Sequence, residues 1–271
     1  MYLKSLAIPE PGTCLRVELK EAQSLICSIY RPEREHRQDR VLVAVHGISR
    51  NDRSQFAAFR ALADRLGVSL FVPRFDGERF PAYQRLAAKP EQVRADRALS
   101  MLLYRWQTLR RLPSLKAHMF GYSGGAQFAH RYALLYPDRV ATLSVCSAGW
   151  YTLPQDDIRY PYGLKGWPQW LGSPDSEAFL KLPILGLVGE GDSQRDAALR
   201  KSEKLDRIQG KTRVDRARHW VDQINRRRSV LGISSHALLQ VMPGLSHDFE
   251  ASADSGLMLP LIEQFIQSNG R

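Results

Sequence analysis

Cysteine is scarce: the 271 residues hold three, Cys14, Cys27 and Cys146, an odd number with no CxxC spacing. A disulfide framework is therefore not expected, each cysteine reads as a small apolar residue, and a reducing, cytoplasmic setting fits best. The opening MYLKSLAIPEPG has no apolar core of an export signal. No run approaches the ~18 apolar residues of a membrane span, so no span is expected. Acidic residues are the minority charge, 28 against 39 basic, for a net +11. Such an excess raises the prospect of nucleic acid, anionic lipid or an anionic substrate as partner. No nucleic-acid-binding motif accompanies it, however. Much of it lies in helical stretches, 105–111 and 213–228, where Asp and Glu are partly interleaved, the pattern of a solvated face. Binding to nucleic acid is not expected. Repeats, low-complexity tracts and linkers are also missing, and 44% hydrophobic with 25% charged residues is ordinary for a chain with a large core. A single domain over 1–271 is expected.

What is present is a rhythm. Residues 13–30 alternate loosely between apolar and polar and predict an antiparallel strand pair. VLVAV (41–45), SLFVP (69–73), AHMF (117–120), VATLSVC (140–146), PILGLVG (183–189) and ALLQVMP (237–243) are short continuous apolar runs, as strands buried on both faces require. Between them, helical spacing runs over 52–66, about 91–112, about 125–136, roughly 193–228 and 255–268. Strands alternating with helices imply an α/β fold, a mostly parallel twisted sheet covered by helices on both faces. The irregular stretch 147–181 carries Trp150, Tyr151, Tyr160, Tyr162, Trp167 and Trp170 among prolines and glycines. So long a loop in a compact fold suggests a small lid, with the alternative that its aromatics simply bury themselves.

One segment has chemistry written into it. Gly121-Tyr122-Ser123-Gly124-Gly125 follows a buried strand and opens a helix. A serine on so sharp a turn needs small neighbours, which Gly121 and Gly125 supply. The turn pushes its Oγ out at the carboxyl end of the sheet, beside a helix N-terminus that favours a developing oxyanion. GxSxG alone is a weak signal, but other features agree. After VLVAV comes His46-Gly47-Ile48, where Gly47 lets the backbone turn, so the NH of Ile48 can join that of Gly124 as an oxyanion hole. The strand-end loops at Glu190-Gly191-Asp192 and at Gly244-Leu245-Ser246-His247 supply an acid and a base in the order serine, acid, histidine. Asp192 is favoured because Gly191 turns the next side chain inward; Glu190, Asp196 and Asp248 compete. His46 is a second candidate base, although it ends a strand ahead of the serine and is expected to hold its loop by hydrogen bonding.

These residues, with the SAGWYTLP continuation and the PGLSHDF ending, make the chain resemble the α/β-hydrolase superfamily over nearly its whole length, and in particular bacterial esterases and polyhydroxyalkanoate depolymerase-like hydrolases. The resemblance implies a triad of Ser123, Asp192 and His247 and an oxyanion hole at Ile48 and Gly124. It implies cleavage of carboxylic esters, thioesters or amides in a small acyl substrate, with no metal or organic cofactor. Lacking an export signal and an added substrate-binding domain, the chain is not expected to degrade polymer outside the cell. Trp150, Tyr151 and Tyr122 are expected to line an apolar substrate pocket above Ser123, and the positive charge suggests an anionic ester met by Arg50, Arg74 or Arg159. A non-catalytic ligand-binding protein on the same fold is the competing reading, and docking of the basic surface on nucleic acid or anionic lipid a third. Oligomeric state is not readable.

Overall fold

The alternating apolar runs fold into one eight-stranded sheet in the computed structural model, which describes residues 6–270. Its strands are β1 (Cys14–Leu19), β2 (Leu25–Tyr30), β3 (Arg40–Val45), β4 (Ser69–Arg74), β5 (Lys116–Tyr122), β6 (Val140–Cys146), β7 (Ile184–Gly189) and β8 (Leu238–Met242). They lie in the order β1-β2-β4-β3-β5-β6-β7-β8. The β1–β2 and β2–β4 pairs are antiparallel and the remaining pairs parallel. The pleat explains why the inner strands are apolar throughout. In β3, Val41, Val43 and Val45 face one core while Leu42 and Ala44 face the other.

The helices are α1 (Asp52–Leu66), α2 (Ala95–Leu109), α3 (Gly124–Leu135), α4 (Ser176–Leu180), α5 (Glu203–Gln209), α6 (Arg213–Val230), α7 (Phe249–Asp254) and α8 (Met258–Asn269). Phe59 and Leu62 of α1 join Met258, Ile262 and Phe265 of α8 in one core. Leu99 and Trp106 of α2, Phe128 and Tyr132 of α3, and Trp220 and Ile224 of α6 build the other. Local signals fix the ends: Asn51 accepts the Ser54 amide at the start of α1, and Gly67 closes it with φ +62°.

One helical expectation divides. The stretch 193–228 is irregular to Lys201 and then broken between α5 and α6, because Gly210 takes φ +103° and Thr212 with Asp215 forms a capping box that starts a new helix. The final helix expected over 255–268 is α8, and the short α7 ahead of it, set off at Gly256 with φ +70°, was not foreseen.

Residues 147–181 do not roof the sheet's carboxyl edge with aromatics. They fold down onto the helices. Tyr151 stacks on Trp220 at 4.7 Å, its backbone paired with the Gln209 side chain, and Thr152 N donates to His130 Nε2. Trp150 packs edge-on to Tyr162 under the Arg131 guanidinium. The aromatics bury one another.

Arginine also behaves differently from its sequence context. Arg131, Arg213, Arg216 and Arg228 are fully buried. Three of these side chains tie distant carbonyls together: Arg131 those of Gln84 and Gln127, Arg216 those of Gly149, Arg200 and Gly210, and Arg228 those of Leu182 and Ser235. Part of the +11 is thus internal cross-linking and not solvated surface. Among the described residues no helix is long and apolar enough to cross a membrane.

Candidate active site

Chain direction opens a crevice at one point of the sheet. From β3 the chain crosses one way to β4, and from β5 the other way to β6, leaving a gap between the carboxyl ends of β3 and β5. Ser123 stands in that gap. Its backbone has φ +52° and ψ −111°, a conformation side-chain-bearing residues rarely adopt, secured by Ser123 N donating to Cys146 O at 2.8 Å. A Cβ on Gly121 would overlap the backbone of Gly125, and one on Gly125 would overlap Val45 O, so glycine is required on both sides of the turn. Although Ser123 occupies the N-cap of α3, its hydroxyl caps nothing.

That hydroxyl is engaged by His247 instead. Ser123 Oγ lies 3.0 Å from His247 Nε2. On the far side of the ring, Nδ1 sits between the carboxylate oxygens of Asp192, 3.1 Å from Oδ1 and 3.3 Å from Oδ2, with only the latter aligned as a hydrogen bond. A carboxylate can only accept, so Nδ1 carries the proton and Nε2 is left to accept from Ser123. Asp192 is buried, and the Tyr122 ring stacks on the imidazole at 5.3 Å. The acid and histidine loops are themselves joined: Gly191 N donates to Leu245 O at 2.8 Å and Gly244 N to Glu190 Oε2 at 3.2 Å.

The competing residues are committed elsewhere. Asp248 caps α7 through the Ala251 amide, and Asp196 is bound by Arg213 and the Leu199 amide, which hold its carboxyl down at about 2. His46 is buried; Phe75 N donates to its Nε2, so its Nδ1 donates to Gly47 O at 2.8 Å. Burial lowers its pKa to about 4, and with both nitrogens used it serves as a strut under the loop that carries Ile48. The buried Cys146 thiol, pushed up to about 12 by burial, is no rival nucleophile. The Ile48 amide nitrogen lies beside Gly124, 3.3 Å from where a Cβ on that glycine would stand, so the two expected oxyanion residues are neighbours.

A pocket of about 230 Å³ opens at Ser123 and His247, walled by Gly47, Ile48, Tyr122 and Phe249 with the polar Gln55 and Glu250. Tyr122 is there, as expected. Trp150 and Tyr151 are not, because each is buried in the packing described above. Neither are Arg50, Arg74 or Arg159. The Arg50 guanidinium is spent on the carbonyls of Phe75, Phe80 and Pro81, and Arg74 Nε lies 3.9 Å from the Asp52 carboxylate. Among the described residues no lysine or arginine lines this pocket, whereas Asp248 and Glu250 do. Among the described residues no group of His, Cys, Asp and Glu is arranged to hold a metal ion.

Sequence reasoning missed Phe249, Gln55, Glu250 and the buried Arg213. The signal for Arg213 was present: it stands four, seven and eleven residues ahead of Ala217, Trp220 and Ile224, on the buried face of α6.

Comparison with solved structures gives the α/β-hydrolase fold. Poly(aspartic acid) hydrolase-1 from Sphingomonas sp. KT-1 superposes with a TM-score of 0.76 at 23% identity, over 94% of this chain and 99% of that one. LpqC, a poly(3-hydroxybutyrate) depolymerase from Bordetella parapertussis, gives 0.76 at 23% identity over 96% and 89%. An S-formylglutathione hydrolase from Agrobacterium tumefaciens gives 0.60 at 15% identity over the whole of both chains. No protein-family model and no curated protein sequence matches.

Proposed function

We propose that this chain is a serine hydrolase that cleaves carboxylic esters of small acyl groups through Ser123, His247 and Asp192. The observation that carries the reading is the unbroken relay from Ser123 Oγ through both nitrogens of His247 to a buried carboxylate. His247 takes the serine proton as Oγ attacks the carbonyl, and Asp192 holds the ring in the required tautomer and supports the imidazolium. The NH groups of Ile48 and Gly124 receive the oxyanion, a role whose loss typically costs about 10²–10³ in rate. The leaving alcohol is protonated by His247, and water then releases the acyl group from Ser123. Thioesters and amides present the same carbonyl to the same groups. The structural neighbours, named as hydrolases and a depolymerase, are in keeping with this chemistry.

Size and charge narrow the substrate. About 230 Å³ is below the ~300–1,000 Å³ typical of sites for drug-sized ligands, which favours a short acyl chain. The two wall carboxylates make a neutral ester a better fit than an anionic one, contrary to what net charge alone suggests.

The test is labelling with a fluorophosphonate together with hydrolysis of 4-nitrophenyl acetate and butyrate. Wild type should label and turn over; Ser123→Ala should lose the label and at least about 10³ of kcat/KM while keeping its fold. Wild type that binds esters without labelling or turnover would instead favour a ligand-binding protein.

A further inference from the structure

Behind the triad acid lies a second ion that nothing in the ester chemistry requires. Arg213 opens α6, and its side chain is 1% exposed. Its Nη1 lies 3.6 Å from Asp192 Oδ1, and its two terminal nitrogens hold Asp196 at 2.5 and 3.1 Å. The Asp196 side chain, 38% exposed, faces the solvent side of this row. Carboxylate, guanidinium and carboxylate thus run outward from His247, and the innermost member is out of contact with water.

Such a carboxylate is unstable as an anion unless a positive charge is near. Among the described residues Asp192 accepts its one hydrogen bond from the His247 ring. Arg213 is, among the described residues, the one Lys or Arg side chain paired with it. The same guanidinium opposes the imidazolium that must form during attack, and a partner carboxylate on its outer side weakens that opposition.

Building on the serine-hydrolase reading, we propose that Arg213 and Asp196 act as positioning residues for the triad: Arg213 sets its charge behind the buried carboxylate of Asp192 and aims it at His247, and Asp196 tempers the Arg213 charge that reaches the ring. Other groups around His247 are the stacked Tyr122 ring and the carboxylates of Asp248 and Glu250, all of which stay in place in the variants below. Arg195 and Arg216, the next cations along, are paired with Asp206.

The arrangement makes an opposed pair of expectations. The acidic limb of kcat/KM against pH reports protonation of His247 in the free enzyme. Asp196→Asn leaves the guanidinium unopposed, disfavours the imidazolium, and should move that limb to lower pH by about half a unit. Arg213→Met removes the cation and should move it to higher pH by about as much, with a lower plateau as Asp192 loses the partner that aims it. Arg213→Lys should restore most of the wild-type profile. Should Arg213→Met fail to fold, Asp196→Asn carries the test, because that side chain is partly exposed and asparagine can still accept the Leu199 amide. Limbs that stay put, or that move the same way in both variants, would overturn the proposal. Turnover that depends on Ser123 with unshifted limbs sinks this inference alone, whereas turnover that survives Ser123→Ala sinks the hydrolase reading beneath it.

Discussion

Two stretches of this chain invert what their compositions suggest. Residues 147–181 hold six tryptophans and tyrosines, yet Trp150 and Tyr151 are walled into the body of the fold. The pocket at Ser123 is built mainly from the plainer segments 47–55, 122–123 and 247–250, which contribute two large aromatics, Tyr122 and Phe249. The difference is one of available partners. The aromatic stretch runs past α3 and α6, whose His130, Arg131 and Trp220 offer flat faces and a cation to pack on. The pocket segments leave strand ends at the crevice, where glycine and short polar side chains keep space open. Density of aromatics in sequence therefore measures how much surface must be buried, and says little about where a ligand sits.

The contrast is exposed most sharply by Tyr151→Ala. Removing a fully buried ring stacked on Trp220 should cost about 3–5 kcal/mol in denaturant-induced unfolding, while KM for a short ester stays at its wild-type value. A large rise in KM without loss of stability would put the aromatic stretch back at the site.

Acid provides the next probe, through a residue under the pocket wall. His46 is held near 4 in the folded chain against an ordinary 6.5, so the unfolded state binds the extra proton. A depressed histidine contributes nothing above pH 6.5 and destabilises progressively as pH falls from there toward 4. At pH 5 this amounts to about 2 kcal/mol lost relative to pH 7. His118, also lowered to about 4 by burial, and His130, held well below its ordinary value by burial, add in the same direction. Urea midpoints measured between pH 7 and pH 5 check this; a flat profile would mean that the His46 strut is hydrated.

The smallest effect belongs to Phe249, which meets Tyr122 edge-on at 5.3 Å and closes one side of the pocket. Phe249→Ala should raise the ratio of kcat/KM for hexanoate over acetate by about tenfold, because the lost ring leaves room for further methylenes. An unchanged ratio would place the acyl chain elsewhere.

How much of this could be read beforehand follows from range. Strands such as VLVAV and PILGLVG declare themselves because burial on both faces forbids polar residues, and each of the eight strands overlaps one of the runs so identified, with β3, β4 and β5 reaching one or two residues beyond theirs. The glycines around Ser123, and the strand-end positions of Asp192 and His247, are legible because backbone geometry demands them locally. The helix break at Gly210 was written as a single residue inside a helical stretch and was passed over, as was the short α7 ahead of Gly256. Arg213 and Glu250 escaped for a deeper reason. A charged side chain looks solvated until its partner is known, and the contacts that matter, to Asp192 and to Asn51 and Ser54, come from distant parts of the chain.

The hydrogen bonds that clasp the turn at 190–191 to the turn at 244–245 also bear on how activity would fade on heating. The base and the group that orients it sit on one bracket hung from the last two strands, while the nucleophile belongs to the centre of the sheet. Fraying at the β8 edge would carry both partners away together, leaving a bare serine in an otherwise standing scaffold.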